Sequence, residues 1–232
     1  MALTPQNNDA FFREVDDEVR RERLQGLARR YGLLVMGVIV LALAALAAVL
    51  LWRDHRDAVA GAEGERFTAA MSSLSSGNGA QAGTQLDAIV KGGDKGYAPL
   101  ARLLQADMLV QQGKPADAAA RFLVIARDEA VPRPLRDLAL VRATATGFDT
   151  LAPSEVIDRL KPLAIGGGPW FGSAGEMTGI AYLKLGQPRQ AGKIFAAVAQ
   201  DKTVPQTIRA RAAQLAADVG VDVVQAADTP RS

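Results

Sequence analysis

The sequence predicts an all-α protein: a single N-terminal transmembrane helix followed by a helical-repeat solenoid. Three observations carry this. Leu33–Trp52, LLVMGVIVLALAALAAVLLW, is twenty residues without a charge. Beyond it, alanine, leucine and valine are plentiful while aromatic residues make up 5% of the chain, and small residues without β-branched runs favour closely packed helices. The chain also aligns with itself, without a gap, at a shift of 73 residues.

At about 1.5 Å per residue, Leu33–Trp52 makes a helix of roughly 30 Å, the thickness of a bilayer's hydrocarbon core. A buried helix of a soluble protein seldom runs so long without a polar face. A cleaved signal peptide has a shorter apolar core and a polar cleavage region, whereas this run leads straight into Trp52-Arg53-Asp54-His55. The run therefore reads as an uncleaved anchor in the lipid bilayer, within a segment 31–53. Arg20, Arg21, Arg23, Arg29 and Arg30 crowd its amino side, with Arg13 further out, against Arg53, Arg56 and Arg66 on the carboxyl side. Basic residues stay in the cytoplasm, so the N-terminus is expected inside and about 180 residues outside. Tyr31 and Trp52 stand at the two ends, where amphipathic rings favour the headgroup level.

Residues 1–30 precede the anchor. Asp9–Arg30 reads as a charged helix, with Asp9 as its cap, acids early and arginines late. Phe12, Val15 and Val19 form a short apolar stripe, with Leu24 and Leu27 further along. That stripe suits a membrane surface or a partner, and a solvated charged helix is the plain alternative.

Residues 54–220 are expected to form one exported domain, with 221–232 as a flexible tail. Helices are expected over Arg53–Ser75, Ala80–Lys91, Pro99–Gln112, Ala116–Asp128, Ser173–Leu185, Arg189–Gln200 and Gln206–Val219. Ser76-Gly-Asn-Gly79, Gly92-Gly93, Gly113-Lys-Pro115 and Gly186-Gln-Pro188 separate them. Around 146–165 the pattern is weaker: Ser154 can cap a helix ending near Pro162, and Gly166-Gly-Gly168-Pro169 is a loop.

The 73-residue shift aligns Gly113 with Gly186, Pro115 with Pro188, Ala118 with Ala191, Phe122 with Phe195, Val131-Pro132 with Val204-Pro205, and Arg136 with Arg209. A shift of 36 aligns Gly77, Ala82 and Leu86 with Gly113, Ala118 and Phe122. A period near 36 is close to the roughly 34 residues of a tetratricopeptide helix pair. Each position has a reason. Glycine ends the first helix, a small alanine lets the two helices approach, and Phe or Leu fills the space between pairs. Seven residues before the glycines, Ala70, Ala106 and Gly179 supply the other small contact. The consensus tryptophan of that motif is absent and its proline stands about two residues late.

FREVDDEVRRERLQGLARRYG at residues 12–32, followed at once by the span, resembles the start of the YfgM-like family of ancillary SecYEG translocon subunits. That resemblance implies a single-pass inner-membrane protein with a tetratricopeptide-like periplasmic domain. It implies as partners the SecYEG translocon and a periplasmic membrane-bound chaperone. It also implies a binding groove lined by the first helix of each pair. Carried over, those positions are Phe67 and Met71, then Leu103, Asp107, Val110 and Gln111, then Glu176, Ile180, Leu183 and Lys184. Ordinary core, for the apolar members, and a solvated face, for the polar ones, are the alternatives.

Several function classes find no support. The net charge of +2 and the lack of a basic face with interleaved aromatics argue against nucleic acid. With no cysteine and His55 alone, no zinc site is expected. A histidine-dependent triad would have to sit at the bilayer surface. Gly166–Gly168 lacks the Lys and Ser/Thr of a phosphate loop, and Trp170-Phe171 reads as a packing hook. The expected function is a membrane-tethered interaction module without cofactor or catalysis. A cell-envelope scaffold for division or wall synthesis, and a periplasmic holdase chaperone, are the alternatives.

Overall fold

The structure is a computed structural model that describes the backbone of residues 6–221 other than Asp94. It describes side chains from Tyr31 onward, Val35, Asp57 and Asp94 excepted. The expected Asp9 cap, the Phe12–Leu27 stripe and the tail beyond Val221 lie outside the described side chains. The chain divides into two compact units, Met1–Ala62 and Glu63–Ser232. Every regular element among the described residues is a helix: α1 (Gln6–Ser75), α2 (Gly79–Gly92), α3 (Tyr97–Gln111), α4 (Pro115–Arg127), α5 (Arg133–Thr146), α6 (Pro153–Leu160), α7 (Phe171–Lys184), α8 (Pro188–Gln200) and α9 (Gln206–Asp218).

In the first unit, the apolar run of α1 is exposed along its length, with Leu33 at 85% and Trp52 at 59%. The Arg56 guanidinium sits over the Trp52 ring, 4.7 Å from its centroid.

The second unit is built from helix pairs. The last turns of α1 pack with α2 around Ala70, Leu86 and Ile89. Then α3 packs on α4, α5 on α6 and α7 on α8, and α9 follows. Consecutive odd-numbered helices also touch: α3 with α5, α5 with α7, and α7 with α9.

Three of the reversals use the same device. Gly77, Gly113 and Gly186 adopt φ of 78°, 73° and 70°, a left-handed conformation that glycine takes without a Cβ penalty. The next amide reaches back to close the helix end: Asn78 N–H to Ser73 C=O at 2.9 Å, Lys114 N–H to Leu109 C=O at 2.9 Å, and Gln187 N–H to Tyr182 C=O at 2.9 Å. Carbonyls that would otherwise be orphaned are satisfied this way.

Beyond the turns the repeated residues are core. Ala82, Ala118 and Ala191 are fully buried, as are Leu86, Phe122 and Phe195. Ala70 and Ala106 are fully buried too, and a Cβ on Gly179 would stand 2.3 Å from the Phe195 ring. The small position in the last pair is therefore glycine because a ring already occupies the space.

The 73-residue register also describes the helices. Shifted by it, α4 coincides with α8, and α3 and α5 fall within a residue of α7 and α9. The weak stretch around 146–165 was expected to hold one helix capped by Ser154. Instead α5 precedes it, begun by Pro132-Arg133-Pro134, and α6 starts at Pro153 with Ser154 already inside. Proline at the first helical positions lacks only an amide that would be unpaired there anyway. At α9, exposed Gln214 and Ala217 stand where α5 has buried Val141 and Thr144.

Candidate functional site

Odd-numbered helices border a recess of the second unit. Met71, Leu74 and Ser75 of α1 form one side. Leu104, Asp107, Met108, Val110 and Gln111 of α3 form the floor and wall, and Arg142 of α5 closes it. The spacings of three and four put each set on one helical face. The recess holds about 460 Å³.

Its surface is mostly apolar but not sealed. Met71 is 43% exposed and Val110 41%, whereas a core side chain would be covered. The polar edge is the pair Asp107–Arg142, where Nη2 of the arginine donates to Oδ2 at 2.9 Å. Burial pushes the Asp107 carboxyl above its ordinary value, against the opposing pull of Arg142. Apolar side chains flanked by one partly exposed ion pair can seat an apolar anchor and hydrogen-bond the chain that carries it. Two methionines, Met71 and Met108, give the wall shape adaptability.

The expected groove residues divide into three groups. Met71, Asp107, Val110 and Gln111 meet in this recess. Phe67, by contrast, packs tilted against the Tyr97 ring, 5.6 Å between centroids, and supports the first core cluster. Leu103 is 6% exposed and packs with Ala106, Phe122 and Ile125, so it has no surface to offer a ligand. On α7, Glu176 is paired with Arg211 of α9, and Ile180 and Leu183 pack on the cluster of Ala191, Phe195 and Ala216. Lys184 lies over the Phe148 ring at 4.6 Å and 4.0 Å from Asp149. Glu176, Ile180, Leu183 and Lys184 are not among the residues that line the recess around Val110.

Arg142 was missed because α5 was missed. The signal was present: the register that maps Arg136 onto Arg209 places a helix before residue 146, opposite the last one. Among the described residues, no group of three or more His, Asp or Glu side chains could hold a metal ion.

Stacked helix pairs, a repeated glycine turn and an open recess define a helical-repeat protein–protein interaction module, a class that is typically non-catalytic. The chain belongs to the tetratricopeptide repeat-like domain family, which matches residues 28–218 and so takes in the apolar run as well as the repeats. No curated protein and no solved structure matches the chain. By length and composition, α1 holds one stretch apolar enough to cross a membrane, with a mean hydropathy of 3.0 and none of it buried.

Proposed function

We propose that this protein is a single-pass inner-membrane interaction module, N-terminus in the cytoplasm and repeats in the periplasm. It serves as an ancillary subunit of the SecYEG translocon, linking it to a membrane-bound periplasmic chaperone. The observation that carries the reading is the open apolar recess around Val110, edged by Asp107–Arg142, in a chain that also carries an exposed apolar run. The arginine excess before the run supports the orientation. The resemblance of residues 12–52 to YfgM-like proteins supports the choice of partner. Tethering confines the recess to the membrane surface and raises its effective concentration toward partners held there. Segments 1–30, 31–53, 54–220 and 221–232 then divide the work as cytoplasmic helix, anchor, periplasmic repeats and tail.

The test is affinity purification of the intact protein from membranes, with quantitative mass spectrometry. Co-enrichment of translocon subunits with a membrane-bound chaperone is expected. Enrichment of division or wall-synthesis components in their place would select the scaffold reading.

A further inference from the structure

The methionines of the described residues stand in different surroundings. Met36 lies in the apolar run of α1. Met177 is half-buried against the cluster of Val141, Val156 and Leu160. Met108 is half-buried against the cluster of Ala70, Leu86 and Ile89. Its methyl turns to α2, where a Cβ on Gly83 would stand 3.7 Å away. Met71 differs: outside the apolar run it is the exposed methionine among the described residues.

The repeat does not call for a thioether there. The 36-residue shift maps Met71 onto Asp107, and the 73-residue shift maps that onto Ile180. Helical spacing sets Met71 one turn before Leu74 and Ser75, on the side that borders the recess with Leu104 and Val110. An exposed thioether is open to oxidants in solution, whereas aliphatic neighbours are inert to them.

The chemistry is an oxygen transfer. The Met71 sulfur attacks one oxygen of hydrogen peroxide and the O–O bond breaks. The proton of the transferred hydroxyl passes to the departing hydroxide, which leaves as water. Sulfur loses two electrons, peroxide gains them, and the product is methionine sulfoxide, which sulfoxide reductases return to the thioether. The sulfoxide oxygen is a polar acceptor, and donors line the same recess. They are the Gln111 amide and the half-exposed Arg142 guanidinium, which engages Asp107 through Nη2 and carries further N–H groups.

We propose that Met71 is a site of reversible oxidation by peroxide that withdraws the recess from apolar partners, an inference resting on the function proposed above. The reduced wall offers the thioether, Leu74 and Val110 to an apolar anchor. The oxidised wall carries a hydrated polar group, which an apolar anchor must desolvate without replacing its hydrogen bonds. Met108, turned toward α2, is the slower target, so the core keeps its packing while binding is lost.

The test uses isolated membranes carrying the full chain with a photo-reactive residue at Val110. Hydrogen peroxide is added for increasing times, and peptide mapping by mass spectrometry follows the sulfoxide at each methionine. Met71 is expected to oxidise before Met108 and Met177. Illumination should then show loss of the Val110 adducts, and treatment with both epimer-specific sulfoxide reductases should return them. Met71→Leu, apolar and of similar volume, should keep its adducts after the same exposure. Met71→Gln should lack them without oxidant. Oxidation of Met71 no faster than of Met108 would overturn the inference, as would adducts that persist on the Met71 sulfoxide or are lost equally from Met71→Leu. Absence of adducts before any oxidant is added would instead overturn the recess as the working surface, and the inference with it.

Discussion

Asp128 and Asp201, 73 residues apart, hold the same turn with the same hydrogen bond. Oδ1 of each accepts the amide two residues on, Ala130 at 3.1 Å and Thr203 at 2.9 Å. The second oxygen differs. Asp128 Oδ2 accepts from Arg102 Nη1 at 2.7 Å. The position equivalent to Arg102 is Gly175, and Asp201 Oδ2 takes the Gly167 amide instead. One duplicated carboxylate thus ties helix to turn in the first half and loop to turn in the second.

The consequence is local and measurable. In Asp201→Ala the Gly167 and Thr203 amides should exchange with solvent faster, while Asp128→Ala should leave Gly167 unchanged. Hydrogen exchange by mass spectrometry across 161–170 and around Thr203 checks this. Equal protection in both variants would mean the loop is held by its own turns.

The same pair sets a pH dependence. The Arg102 hydrogen bond chiefly holds Asp128 below its ordinary value, and the Thr203 hydroxyl chiefly does so for Asp201, each helped by backbone amides. Their folded values lie below the unfolded one of about 3.9. The stability they confer is complete above that pH and is lost as pH falls through the lower folded values. Acid unfolding of the Asp128→Asn/Asp201→Asn double variant should therefore depend less steeply on pH below about 4 than that of the wild type. Parallel curves would contradict it.

Asp107 has the opposite sign. Burial raises its folded value, so its contribution is present at low pH and is lost as pH rises through that value. Relative to Asp107→Asn, the wild type should lose stability between acid and neutral pH. Urea midpoints in detergent at several pH values measure this. A difference independent of pH would mean that Arg142 compensates fully for the burial.

Phe122 and Phe195 are fully buried at equivalent positions. Replacing either by alanine should cost about 3–5 kcal/mol. The Phe195 variant should perturb α7, α8 and α9 and spare α2 and α3, because each pair of a stacked array contacts only its neighbours. Exchange protection along the chain separates this from a uniformly cooperative domain.

At Ala45, the middle of the exposed apolar run, arginine should cost about 2.5–3.5 kcal/mol of insertion free energy. The variant is expected to shift from the carbonate-resistant membrane fraction toward the soluble one. Unchanged fractionation would contradict the anchor.

Much of this architecture was legible because it is written in residues with one physical meaning. Gly113 and Gly186 mark reversals that need a left-handed residue, and Ala118 and Ala191 mark close helix approaches. Their spacing announced the repeat. Helix α5 was not legible in the same way. Its residues Arg133–Thr146 carry no glycine turn and a weak apolar stripe, and its boundary depends on Pro132 and Pro134, which read equally well as a loop. The recess was half legible. The positions carried over from the resembled family include Asp107, Val110 and Gln111, which line the recess, but the carry-over does not tell an inward face from an outward one, and Leu103 among them is core. Arg142 depends on a contact across 35 residues between α3 and α5, which no local pattern encodes.

The most direct test of the central claim is in-cell photo-crosslinking from a probe residue at Val110, with mass spectrometry of the adducts. The account predicts adducts with translocon subunits or a membrane-bound chaperone, and their loss when Met71→Asp is combined with the probe. Absence of adducts at Val110, with strong adducts from the Phe12–Val19 stripe, would place the working surface on the cytoplasmic side and contradict it.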